Sequence, residues 1–188
     1  MGLPNWLSLF RLCLVPVFPL VLFSSLPGAR YLAVGVYLLA ALTDIIDGYV
    51  ARKYNMITRL GRILDPLADK AMSATVLVCV AWMWTDSPPD PVSWWLWGAV
   101  AVYFIKEGLM GIGAIVMYRK VSDVNPSSFP GKFSVTLFVV ACTVLLLFPG
   151  LSGGWALMLI GLATASSVYA LFHYLLAYIR STKRQGTY

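Results

Sequence analysis

The chain predicts an all-α, polytopic membrane fold: six transmembrane helices forming one membrane domain over residues 1–188, with a cavity facing the cytoplasm. Three observations carry this expectation. The 188 residues are 60% hydrophobic and 12% charged, whereas soluble domains usually carry about 25% charged residues. Six mainly apolar runs reach about 20 residues, the length a helix rising 1.5 Å per residue needs to cross a bilayer core. The basic residues, finally, fall on alternate links between those runs, as membrane sidedness requires.

The first run, 7–26, follows Pro4 and Asn5, which suit a helix start. It lacks a basic leader and a small-residue cleavage site, so it reads as mature structure. The second, 31–50, carries Asp44 and Asp47 towards its end, and the third, 64–84, opens on Asp65 and Asp69. Between the third run and the fourth, 94–118, Asp86-Ser-Pro-Pro-Asp90-Pro reads as an outer turn. Trp82, Trp84, Trp94, Trp95 and Trp97 flank that turn and form an interfacial aromatic belt. The fifth run, 133–148, follows Gly131-Lys132. The sixth, 155–179, holds the lone histidine, His173, among Phe172 and Tyr174, where packing explains it.

Arg52, Lys53, Arg59, Arg62, Arg119, Lys120, Lys132, Arg180, Lys183 and Arg184 follow the second, fourth and sixth runs, ten of the 14 basic residues. The other links carry Arg30 alone. Both termini and the carboxylates are therefore expected on the cytoplasmic side. A net charge of +6 distributed in this way points to anionic lipid headgroups, and no recognition motif for nucleic acid accompanies it. Cys13, Cys79 and Cys142 lie within apolar runs without disulfide or zinc spacing and read as packing residues.

Asp44, Asp47, Asp65 and Asp69 are four of only eight acidic residues. A carboxylate at the bilayer centre costs roughly 2.5–3.5 kcal/mol, so four of them must face a polar cavity. The i,i+3 and i,i+4 spacings put each pair on one helix face, and the basic link between Ala51 and Gly61 is long enough to return the chain antiparallel. Hard oxygen ligands gathered in this way point to divalent metal ions, Mg2+ or Mn2+. Two ions about 3.5–4 Å apart are the arrangement that stabilises both oxygens of a phosphoryl displacement. The rival from another class is a metal or proton-coupled transporter. That architecture predicts inverted repeats or broken helices near the midplane, whereas these carboxylates lie at one membrane face.

The segment from Asp44 to Asp69 matches D-x2-D-G-x2-A-R-x8-G-x3-D-x3-D without a gap. Eight fixed positions coincide by chance on the order of once in 10^10 starting points. The segment resembles the CDP-alcohol phosphotransferases, integral-membrane enzymes that move a phosphatidyl or phospho-alcohol group from a cytidine diphosphate donor to an alcohol. The resemblance implies that Asp44, Asp47 and Asp65 hold two metal ions and that Asp69 combines metal coordination with general-base action. It also implies that Gly48, Ala51, Arg52 and Gly61 line the cytidine diphosphate pocket. A homodimer with one site per protomer, in the bacterial cytoplasmic membrane, follows from the same likeness. A carboxylate within reach of an acceptor hydroxyl can take its proton, but the residues alone leave water or another carboxylate open as that base.

Pro4-Asn5-Trp6-Leu7-Ser8-Leu9-Phe10-Arg11 is similar to the Pro-Asn-x-Leu-(Thr/Ser)-x-x-Arg opening of the phosphatidylglycerophosphate synthase group and its cardiolipin synthase relatives. The implied donor is CDP-diacylglycerol, and Arg11 is able to reach phosphate. Lys106-Glu107 stands where the glycerophosphate-using enzymes resemble Arg-Glu, and Gly131-Lys132 is similar to their Gly-Lys. Lys106 and Lys132 are thus the implied acceptor-phosphate residues, with a self-contained Lys106–Glu107 pair as the alternative. Ala114 occupies the place of a second arginine in that group, an arginine that the cardiolipin synthases lack. Glycerol 3-phosphate is the preferred acceptor and phosphatidylglycerol the alternative; inositol phosphate and serine are further candidates.

Overall fold

The computed structural model describes the backbone of residues 3–53, 61–85, 91–120 and 129–185, and the side chains of 6–44, 46, 64–65, 67–85, 91–110, 133–173 and 176. These residues form six helices and no strand: α1 (Leu3–Leu22), α2 (Ala29–Lys53), α3 (Gly61–Met83), α4 (Pro91–Lys120), α5 (Phe129–Leu147) and α6 (Gly153–Gln185). Each expected apolar run falls within one helix or overlaps it closely. The 30 residues of α4 and 33 of α6 extend about 45 and 50 Å at 1.5 Å per residue, more than a roughly 30 Å hydrocarbon core. Both therefore end in the basic residues that the sequence placed outside the apolar runs. Among the described residues, Gly153–His173 is the helix long and apolar enough to cross a membrane by itself, while Trp6–Leu22 and Phe133–Leu147 are shorter apolar helices.

The chain divides into two compact units. The first takes residues 1–83 and 145–149, and its centre is α1, which packs along α2 and α3; those two also touch each other, less extensively. Buried Leu14, Phe18 and Leu22 form the apolar stripe of α1, matched by Ala33, Tyr37 and Ala40 on α2 and by Met72, Val76 and Val80 on α3. Phe18 meets Tyr37 edge to face at 6.2 Å between ring centroids, a favoured aromatic geometry. Pro16 and Pro19 lie inside α1, where each removes a backbone donor. The Phe23 N–H still donates to the Pro19 carbonyl at 3.0 Å and closes the helix end. Gly28, with φ 77°, then reverses the chain in a conformation that glycine adopts without a steric penalty, and its carbonyl accepts from Leu32 at the start of α2.

The surface inverts the soluble pattern. Leu20 is 72% exposed while Arg11 is 1% exposed, and Phe10, Phe23, Leu32, Leu38, Leu39 and Leu42 also face outwards. Apolar area on this scale matches a hydrocarbon solvent, and polar side chains turned inward satisfy the same condition.

In the second unit, residues 84–144 and 150–188, α4 packs on α6. A Cβ at Gly153 would stand 2.9 Å from Val92 Cγ2, so the absence of a side chain permits that approach. Ser93 Oγ donates to the Trp84 carbonyl at 3.0 Å and Trp97 Nε1 donates to Thr85 Oγ1 at 3.0 Å. These bonds tie the start of α4 to the residues that follow α3.

Candidate active site

The carboxylates continue the apolar stripes of their helices. Ala33, Tyr37, Ala40 and Asp44 repeat at intervals of three or four, as do Asp65, Asp69, Met72, Val76 and Val80, so the buried stripe of α2 runs on to Asp44 and that of α3 to Asp69 and Asp65. On α1 the same continuation gives Leu14, Arg11 and Ser8. Both of these polar residues are buried, Ser8 at 0% and Arg11 at 1% exposure.

The three stripes meet through hydrogen bonds. Arg11 Nη1 donates to Asp44 Oδ1 at 2.5 Å, a salt bridge between a buried guanidinium and a carboxylate that is 46% exposed. Ser8 Oγ donates to Asp65 Oδ1 across 57 positions of sequence. Ser8 and Arg11 are i,i+3 neighbours, about 5–6 Å apart at Cβ. Asp44 and Asp65 are therefore held within one turn of a single face of α1. Thr43, beside Asp44, turns its hydroxyl inward to the Ala40 carbonyl at 2.8 Å. Its hydroxyl is thereby satisfied within α2.

Asp69 lies one turn after Asp65 on α3 and is partly buried. Asp47, Gly48, Ala51 and Arg52 occupy the last two turns of α2, and Gly61 opens α3; the side chains at these positions lie outside the described residues. Among the described residues, no group of three or more His, Cys, Asp or Glu side chains gathers as a metal cluster. What is described fits a cation in its chemistry: the acids are hard oxygen donors, and the bonds to Asp44 and Asp65 each engage one carboxylate oxygen. The second oxygen of each is not used in these two contacts.

In the second unit, Lys106 Nζ lies 2.8 Å from Glu107 Oε1 with both side chains largely buried, and 5.3 Å from the Tyr103 ring centroid. Tyr103 itself stacks on Phe138 at 5.6 Å. The self-contained pair considered from sequence is thus formed, and one ammonium contact is committed to it. Lys132 is in the first turn of α5 and Ala114 is on α4; their side chains lie outside the described residues.

Two features escaped the sequence reading. The pairing of buried Arg11 with Asp44 was not foreseen. Ser8 stood only as the Thr/Ser position of the opening segment, with no partner assigned to it. The available signal was polar residues at i,i+3 on the same stripe as Leu14 and Phe18, a placement that a lipid-facing surface disfavours.

The family profile described as CDP-alcohol phosphatidyltransferase matches residues 1–169. The chain is 31% identical over 181 residues to the CDP-diacylglycerol–glycerol-3-phosphate 3-phosphatidyltransferase of Sodalis glossinidius, covering 94% of both chains. It is 36% identical over 146 residues to the Rickettsia bellii protein of the same name, covering 78% of this chain and 75% of that one. With a matched profile spanning most of its length and carboxylates from α2 and α3 gathered on α1, the chain belongs to the CDP-alcohol phosphatidyltransferase family.

Proposed function

We propose that this protein transfers the phosphatidyl group of CDP-diacylglycerol to glycerol 3-phosphate, forming phosphatidylglycerophosphate and releasing CMP. The observation that carries the reading is the convergence of Asp44 and Asp65 on one face of α1 within an ungapped eight-position motif. The relatives' printed names supply donor and acceptor. We place the reaction in one membrane domain of six spanning helices, in the bacterial cytoplasmic membrane. Both termini and the site face the cytoplasm, and the protein acts as a homodimer.

The acceptor hydroxyl oxygen attacks the phosphorus that bears the diacylglycerol. The bond from that phosphorus to the bridging oxygen breaks, and CMP leaves with the electron pair. Asp69 takes the hydroxyl proton as attack proceeds, the role of a general base within hydrogen-bond reach. Asp44, Asp47, Asp65 and Asp69 would hold two divalent ions, Mg2+ or Mn2+, which when bound neutralise the non-bridging oxygens of the diphosphate. Gly48, Ala51 and Gly61 leave room for the cytidine diphosphate, and Arg52 contributes charge-assisted hydrogen bonds to it. Lys132 and Lys106 serve the acceptor phosphate. Lys106 has three N–H donors, so its bond to Glu107 leaves donors for a phosphate oxygen.

Purified protein supplied with labelled CDP-diacylglycerol and each acceptor in turn tests the reading. Glycerol 3-phosphate should yield phosphatidylglycerophosphate and CMP. Formation of cardiolipin from phosphatidylglycerol, with glycerol 3-phosphate untouched, would overturn it in favour of a cardiolipin synthase. The subsites predict a split in kinetics: Lys132→Ala raises KM for glycerol 3-phosphate more than KM for CDP-diacylglycerol, and Arg52→Ala does the reverse. Loss of one charge-assisted bond, about 1.5–3 kcal/mol, corresponds to roughly 10- to 150-fold. Equal shifts for both substrates in both variants would remove the basis for two subsites.

A further inference from the structure

We infer that α1 is the outer support of the carboxylate site: Ser8 is a positioning residue that orients Asp65 for cation binding, and Arg11 orients Asp44 in the same way. The inference rests on the proposed metal-binding role of those carboxylates. It assigns a task to two residues outside the eight-position motif.

Three observations support it. First, both residues are buried, Ser8 at 0% and Arg11 at 1% exposure, in a helix whose other faces are apolar, so neither is a solvating surface group. Second, each donates to one oxygen of one motif carboxylate. A carboxylate tied at Oδ1 has its plane restricted and its other oxygen directed, which is how hydrogen bonds behind a ligand hold that ligand for a metal. Third, the i,i+3 spacing on α1 sets the distance between acids that come from different helices. The rigid element between them is α1, since α2 and α3 touch each other less than either touches α1.

A serine that merely joined α1 to α3 would contribute to stability and leave cation affinity alone. The two roles separate on Mn2+ affinity, read by electron paramagnetic resonance on the purified full chain in detergent without substrate. Ser8→Ala removes the hydroxyl with no added bulk and keeps a strong helix former. Loss of such an outer hydrogen bond typically weakens metal binding by about 10- to 100-fold, and that is the expected loss. Ser8→Thr restores the donor and should return affinity to within about threefold of wild type, a difference equivalent to roughly 0.7 kcal/mol.

If Ser8→Ala prevents folding, Ser8→Cys, close in volume and a weak donor, replaces it and should show the same direction of change. Wild-type affinity in the hydroxyl-deleted variant overturns the inference while leaving the proposed function intact. Equal weakening by Ala and Thr also overturns it, because packing rather than the hydroxyl would then be responsible. A wild-type protein that binds no Mn2+ overturns the metal reading itself, and the positioning role with it.

Discussion

Asp65→Asn lowers turnover by about three orders of magnitude or more, equivalent to roughly 4 kcal/mol of transition-state stabilisation. The substitution is nearly isosteric, and the amide oxygen can still accept from Ser8, so α1 and α3 stay joined. What disappears is one negative charge at the point where Ser8 holds the carboxylate. An amide oxygen is a much weaker ligand for a hard divalent cation than a carboxylate. The loss should appear in kcat at saturating donor and acceptor, with the melting temperature close to wild type. A fall of less than tenfold, about 1.4 kcal/mol, would place Asp65 outside the reacting shell.

The six helices were legible because each coincides with a long, mainly apolar run, and such runs write themselves as composition. Boundaries were less legible. The fourth run was placed from 94, whereas α4 begins at Pro91, where a missing N–H is no loss in the first helical turn. The motif acids were legible because their spacing is local: i,i+3 and i,i+4 fix a helix face whatever the tertiary structure. Their surroundings were not. Ser8 and Asp65 are 57 positions apart, and no local spacing records that contact. Sequence reasoning set the acid pairs of the second and third runs against each other, while the structure brings α1 against both. Arg11 shows the same limit. Its charge was legible, but its burial against Asp44 depends on which face of α1 turns inward. The division into two units, with residues 145–149 grouped with the first, likewise arises from long-range packing.

Exhaustive chelation should abolish turnover, and Mg2+ or Mn2+ should restore it. The reason is charge balance at one end of three helices. Four motif carboxylates lie on α2 and α3, and the buried guanidinium of Arg11 offsets one of them at Asp44. The diphosphate of the donor brings further negative charge to the same place. At an effective dielectric constant of 20, each like-charge pair about 5 Å apart costs roughly 3 kcal/mol. Several such pairs would exceed what a typical donor-binding interaction supplies, so the carboxylates and the diphosphate cannot share the site without added cations. Two divalent ions contribute four positive charges, which together with Arg11 offset the four acids and leave a net positive charge for the anionic donor. Binding of labelled CDP-diacylglycerol should accordingly weaken on chelation together with turnover, which separates charge balance from a purely chemical requirement. Full turnover after rigorous metal removal would defeat the two-metal reading. Unchanged donor affinity with lost turnover would confine the cations to the chemical step and leave donor binding to Arg52 and the small residues of α2.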